Sequence, residues 1–151
     1  GFFARLFCVE EFSSAGYPLE IVQANDSFSA VLGTLRGMHY QVGDSEETKV
    51  IRCLMGAIYD VVLDLRPKSP SYMKWEGFYL DSENRSMIRV PKGCAHGFLT
   101  MKPNTEVFYL VDSYYNPITE RGVRWNDKKF GIIWPNEPRI LSEKDANWPD
   151  Y

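Results

Sequence analysis

The sequence predicts an all-β fold, a double-sheet jelly roll, from three observations. Short apolar and β-branched runs recur along the chain, turn residues punctuate them, and little of the chain reads as helix. With 151 residues, the chain has the size of one domain with a real core. Hydrophobic residues at 44% and aromatics at 15% suit a compact fold and argue against disorder.

The strands follow in order. Leu19-Glu20-Ile21-Val22-Gln23 alternates apolar and polar side chains, the period of a half-buried strand. Lys49 to Leu54 follows the acidic loop Gly43-Asp44-Ser45-Glu46-Glu47. Ala57 to Leu65 is the strongest strand signal, and Arg66-Pro67 ends it, because proline cannot donate to a ladder. Trp75 to Leu80 is next, closed by the polar turn Asp81 to Arg85. Met87 to Val90 runs into Pro91-Lys92-Gly93. Phe98 to Met101 and Thr105 to Val111 are split by Lys102-Pro103-Asn104. The proline-rich tail, Pro135 to Tyr151, holds one helical turn at Ser142-Glu143-Lys144-Asp145, with Ser142 as its cap and Asp145 at the third position.

Composition excludes several roles. A net charge of -3 gives no electrostatic case for nucleic acid. No apolar run reaches the length of a membrane span, and no signal peptide is visible. Cys8, Cys53 and Cys94 are an odd set without metal-type spacing, expected to be reduced in a cytoplasmic protein. The chain opens at Gly1-Phe2-Phe3 without an initiator methionine, so a trimmed N-terminus is expected.

Chemistry concentrates around the two histidines. His39 lies in Leu35-Arg36-Gly37-Met38-His39-Tyr40-Gln41, and His96 in Val90-Pro91-Lys92-Gly93-Cys94-Ala95-His96-Gly97-Phe98. Histidine is the side chain best matched to proton transfer near neutral pH. Pro91-x-Gly-x-x-His96 resembles the second metal-binding motif of cupins. The paired His-x-His of the first motif is absent, and catalytic metals take at least three protein ligands, so no metal and no cofactor are expected.

These segments do not stand alone. Lys49-Val50-Ile51-Arg52, Tyr59 to Arg66, Ser82-Glu83-Asn84, Glu106-Val107-Phe108-Tyr109, Tyr114-Tyr115-Asn116-Pro117, Trp125-Asn126-Asp127 and Leu141 to Asp145 occur with them in a fixed order. The ordered set resembles the dTDP-4-dehydrorhamnose 3,5-epimerase family over nearly the whole chain. The resemblance implies a cupin-type jelly roll, a homodimer, metal-independent catalysis and a nucleotide-diphosphate sugar substrate, a 4-keto-6-deoxyhexose. By position it implies His39 as catalytic base, Asp145 as its carboxylate partner, Tyr109 as the acid on the opposite face, and Lys49 beside the keto oxygen. Arg36 matches a diphosphate-binding arginine, and His96 lies in the same pocket. Gln23 and Asn25 match polar residues near the nucleotide, and Tyr115 an aromatic near the base. Two departures stand out: Arg5 replaces a glutamate that many members carry near the nucleotide base, and Asp26 replaces a histidine found in some.

The implied chemistry suits these residue types. A 4-keto group acidifies the C–H bonds at C3 and C5. Inversion needs a base on one face, an acid on the other, and a cation for the oxyanion. Taken singly, the residues have plainer readings: Lys49 as an edge-strand cation, Tyr109 as core, Asp145 as a helix-turn residue, Tyr114 and Tyr115 as packing, Arg36 as surface. A 3,4-ketoisomerase, a single-centre epimerase and a non-catalytic carbohydrate-binding jelly roll stay open as alternatives.

Overall fold

The protein is described by a computed structural model covering residues 1–151. Nine strands and two short helices run in the order α1 (Val9–Ser14), β1 (Gln23–Ser29), β2 (Leu35–Gln41), β3 (Lys49–Met55), β4 (Ala57–Asp64), β5 (Trp75–Asp81), β6 (Met87–Val90), β7 (Cys94–Thr100), β8 (Thr105–Val111), β9 (Glu120–Gly122) and α2 (Glu143–Ala146). The strands form two antiparallel sheets, ordered β1-β8-β3-β6 and β5-β4-β7-β2-β9. This is the expected cupin-type jelly roll.

Strand parity explains the layering. In β4, Ile58 and Val62 face the space between the sheets, while Val61 and Leu63 face the other side. The central core joins Ile51, Cys53, Ile58, Leu80, Val90, Cys94, Phe98 and Val107 from both sheets. A second cluster, with Met38, Val61, Leu63, Ala95, Val123 and Phe130, seals the outside of the five-stranded sheet beneath the 123–134 segment. Leu19 packs with Val50 and Leu110 on the outside of the four-stranded sheet. All three cysteines are free thiols.

The sequence reading placed no element at α1, β2 or β9, and two strand starts differ from it by four residues. The first strand begins at Gln23 rather than Leu19. The alternation of Leu19 and Ile21 is real, but these side chains cover the outside of the four-stranded sheet without joining its ladder. The strand expected at Phe98 starts earlier, at Cys94, so His96 is a strand residue. The tail turn forms as expected: the Ser142 side chain accepts a hydrogen bond from the Asp145 N–H at 3.0 Å.

Candidate active site

The cleft opens between the two sheets, and strand parity decides who lines it. From the five-stranded sheet, His39 on β2 stands directly opposite His96 on β7 on one side and Gly122 on β9 on the other. From the four-stranded sheet, Tyr109 on β8 pairs with Ile51 on β3 and Asn25 on β1, and Lys49 pairs with Val111. The cleft has two adjoining lobes. One, of about 420 Å³, is lined by Arg36, His39, Lys49, His96, Tyr109, Glu120, Lys144 and Asp145 among others. The other, of about 390 Å³, shares His39, Lys49, Tyr109, Tyr115 and Glu120 and adds Gln23, Asn25 and Glu47. All nine residues singled out in the sequence therefore border one continuous cleft.

The Arg36-Gly37-Met38-His39 motif has a local reason. The β2–β7 register breaks between Arg36 and His39, a bulge that re-aims the histidine. Gly37 has φ of +128°, and a side chain there would overlap Gly97 and the His96 carbonyl across the ladder. The backbone N–H of Gly37 then donates to Asp145 Oδ2 at 3.3 Å.

Asp145 also meets His39, with 2.5 Å between the imidazole Nε2 and Oδ1. Asp145 is only 3% exposed. Burial pushes its carboxyl up, but the His39 ring, the Gly37 N–H and Ser142 outweigh burial and hold it below the usual range. An ionised Asp145 only accepts, so Nε2 carries the proton and Nδ1 of the neutral ring holds the free lone pair.

His96 forms a second such pair, its Nε2 hydrogen-bonded to Asp60 Oδ2 at 2.8 Å. Asp60 is fully buried in β4. Sequence reasoning missed it, although a carboxylate at an inward position of an apolar strand is itself a signal, since a buried charge demands a partner.

On the opposite sheet, Lys49 Nζ lies 3.0 Å from Glu47 Oε1, with both side chains largely buried. Glu47 belongs to the acidic loop and was not anticipated as the lysine's partner. Burial pushes the Tyr109 hydroxyl up from its ordinary value, Glu47 adds to the effect and Arg36 opposes it, so Tyr109 keeps its proton at neutral pH.

At the mouth, Arg36 reaches back to Ser29 Oγ and the Phe28 carbonyl, both at 3.4 Å. Gln23 Oε1 accepts from the Tyr115 N–H at 2.7 Å. Tyr114 and Tyr115 are 70% and 56% exposed, so neither is a packing residue. Glu120, also missed in the sequence, accepts from Lys144 Nζ at 2.8 Å and from the Tyr115 hydroxyl at 3.1 Å. Burial raises the Glu120 carboxyl, but Lys144 above all, with Tyr115 and the neighbouring His39, holds it low. No cluster of three or more His, Cys, Asp and Glu side chains suited to a metal forms anywhere in the protein.

A sequence profile of the dTDP-4-dehydrorhamnose 3,5-epimerase family matches residues 1–151. The chain belongs to this family. It is 42% identical over 147 residues to the dTDP-4-dehydrorhamnose 3,5-epimerase of Escherichia coli, covering 96% of this chain and 79% of that one. The crystal structure of the Bacillus anthracis dTDP-4-dehydrorhamnose 3,5-epimerase, with TDP and PPi bound, superposes with a TM-score of 0.98 at 44% identity. It covers all of this chain, which in turn spans 86% of it. A relative from Streptomyces niveus, 38% identical over 148 residues, is a dTDP-4-dehydrorhamnose 3-epimerase; the match covers 97% of this chain and 71% of that one. The family's members thus include enzymes described as acting at one centre and at two.

Proposed function

We propose that this protein inverts C3 and C5 of a nucleotide-linked 4-keto-6-deoxyhexose through an enolate. The observation that carries this reading is the 2.5 Å His39–Asp145 pair on one sheet, facing Tyr109 and Lys49 on the other. A sugar held between the sheets has a base on one face and a proton donor on the opposite face, the arrangement inversion requires. His39 takes the proton through Nδ1, and Asp145 stabilises the imidazolium that forms. Lys49 stabilises negative charge growing on the keto oxygen, in a site where such interactions are worth several kcal/mol. Tyr109 returns a proton from the other face. Arg36 and His96 hold the diphosphate end, while Gln23, Asn25 and Tyr115 contact the nucleotide.

Incubation of the enzyme with dTDP-4-keto-6-deoxyglucose in deuterated water, followed by NMR, tests the proposal. Deuterium at both C3 and C5 of the inverted product is expected. No incorporation at either carbon would refute the reading. The second reading is inversion at one centre, favoured by the Streptomyces niveus relative. Deuterium confined to C3 would select it.

The protein acts as a homodimer in this reading. Support comes from Phe2 and Phe3, 69% and 89% exposed, and from Phe28 on the outside of β1, apolar surface that a second copy covers. Light scattering showing a monomer at micromolar concentration would count against it. The three free thiols support a reducing compartment, the cytoplasm.

A further inference from the structure

Gly122 is the residue beside His39 that has no side chain. It pairs with His39 across β2 and β9, and side chains of an antiparallel pair project to the same face. A side chain at Gly122 would therefore stand next to the imidazole. The space is taken instead by Trp148, three residues beyond Asp145. A methyl group at Gly122 would overlap the Trp148 indole at three of its ring atoms. The indole meets the His39 ring edge-on, with 6.1 Å between centroids and 68° between planes. Lys144 Nζ lies 6.0 Å over the indole's face.

Hydrogen bonding does not explain this placement. The indole N–H of Trp148 is buried and has no acceptor. An unpaired buried N–H costs free energy, so packing against Gly122 and His39 must offset that cost. Nor does Gly122 have a backbone reason to be glycine: unlike Gly37, its φ lies outside the left-handed region. Its backbone does not demand glycine, and the three atoms nearest an added methyl all belong to Trp148. The short α2 has one buried residue, Asp145, and is tied down by polar bonds alone: the Ser142 cap, the Asp145 bonds to His39 and Gly37, and the Lys144–Glu120 ion pair. A four-residue helix is not self-supporting. The indole seated on β9 adds the packing contact beside the imidazole that those polar bonds do not supply.

We infer that Trp148 and Gly122 form a plug and socket that positions the Asp145 carboxylate on His39 and shields that hydrogen bond from water. Trp148 is thus a positioning residue for the reaction, acting through Asp145. The inference rests on the assignment of His39 as base.

Two measurements test it. The first is kinetic. Trp148→Ala lowers kcat by roughly tenfold to a hundredfold with KM little changed, since a displacement of about 1 Å in a catalytic group can cost about 10²-fold. Trp148→Phe keeps the plug, discards the unpaired N–H and retains most of the activity. Gly122→Ala, which pushes the indole out, reproduces the loss. In the Trp148→Ala background the same Gly122→Ala change costs nothing further, because the clash it creates is gone. If Trp148→Ala does not fold, Gly122→Ala against wild type decides alone. The second measurement needs no substrate. The chain has only two histidines, so their ring N–H resonances are separable by NMR. In Trp148→Ala or Gly122→Ala the His39 ring N–H signal broadens through exchange with water, while that of His96, held by Asp60, persists. Wild-type kcat in either variant, losses that add across the two sites, or an unchanged His39 signal would each overturn the inference. Absence of epimerisation by the wild-type protein would instead overturn the proposed function, leaving the NMR comparison to decide the positioning claim.

Discussion

Replacing Asp145 with asparagine removes one charge and keeps the shape. In the native site the carboxylate accepts from His39 Nε2 at 2.5 Å and from the Gly37 N–H at 3.3 Å, inside a residue 3% exposed. When His39 takes a proton, the imidazolium is stabilised by a buried charge-assisted hydrogen bond, worth roughly 1.5–3 kcal/mol. Losing the upper value corresponds to about a 150-fold fall in rate, at 1.36 kcal/mol per decade. A second loss adds to it. The amide can turn its NH2 toward Nε2, which moves the ring proton to Nδ1 and removes the lone pair that faces catalysis. Asp145→Asn should therefore slow deuterium exchange at the reacting carbons by roughly 100-fold or more. Exchange in deuterated water is measured by NMR, with circular dichroism and a thermal melt confirming the fold. A folded Asp145→Asn enzyme exchanging at close to the wild-type rate would refute the reasoning.

Tyr109→Phe should uncouple inversion from exchange: His39 and Lys49 still remove and return a proton on one face, so deuterium enters with configuration mostly retained. A ratio of inversion to exchange equal to wild type would show that Tyr109 is not the acid. Removal of metal should change nothing: after dialysis against a chelator the rate is expected to hold, and a stoichiometric ion whose loss abolishes turnover would sink this expectation. Stability should respond to pH through Asp64. The Arg66 side chain above all, with Ser69 and Ser71, holds this mostly buried carboxyl far below the usual carboxylate range, despite its burial. Its folded-state pKa is thus lower than the unfolded value of about 3.9. The resulting stability is present above about pH 4 and is lost as pH falls toward the folded-state value. Urea midpoints at pH 7 and pH 3 should show a steep decline in wild type and a shallower one in Asp64→Asn; equal declines would refute the assignment.

The residues legible in the sequence were those with local signals. His39 sits in a motif whose glycine has a visible purpose once the bulge at β2 is known. For Asp145 the local signal showed only a helical turn, which Ser142 starts three residues before it. Its meeting with His39, 106 positions away, came through the resemblance and not through any local pattern. Asp60, Glu120 and Lys144 were missed for a common reason. Each is an ordinary charged residue in sequence, and its importance comes from a partner brought near only by the sheets. Leu19 and Ile21 failed in the opposite way: their alternation has the strand period, yet the surface they match is the outside of the neighbouring sheet. Periodicity reports that one face is apolar, not which hydrogen-bonding ladder the backbone joins.

The division of the site between two sheets has a mechanical consequence. Below the reacting groups, the floor of the cleft is Ile51, Phe98 and Val107, and the same three side chains belong to the core that joins the sheets. These hydrocarbon groups act as spacers. They set how far the imidazole stands from the phenol, and hence the thickness of ring that fits between them. Trimming Phe98 would let the layers settle closer together or leave a void, and either change alters the gauge across which the proton must travel. On the proposed mechanism the width of the slot, and with it the choice between returning a proton to the same side and delivering one from the far side, depends on side chains with no acid–base chemistry of their own.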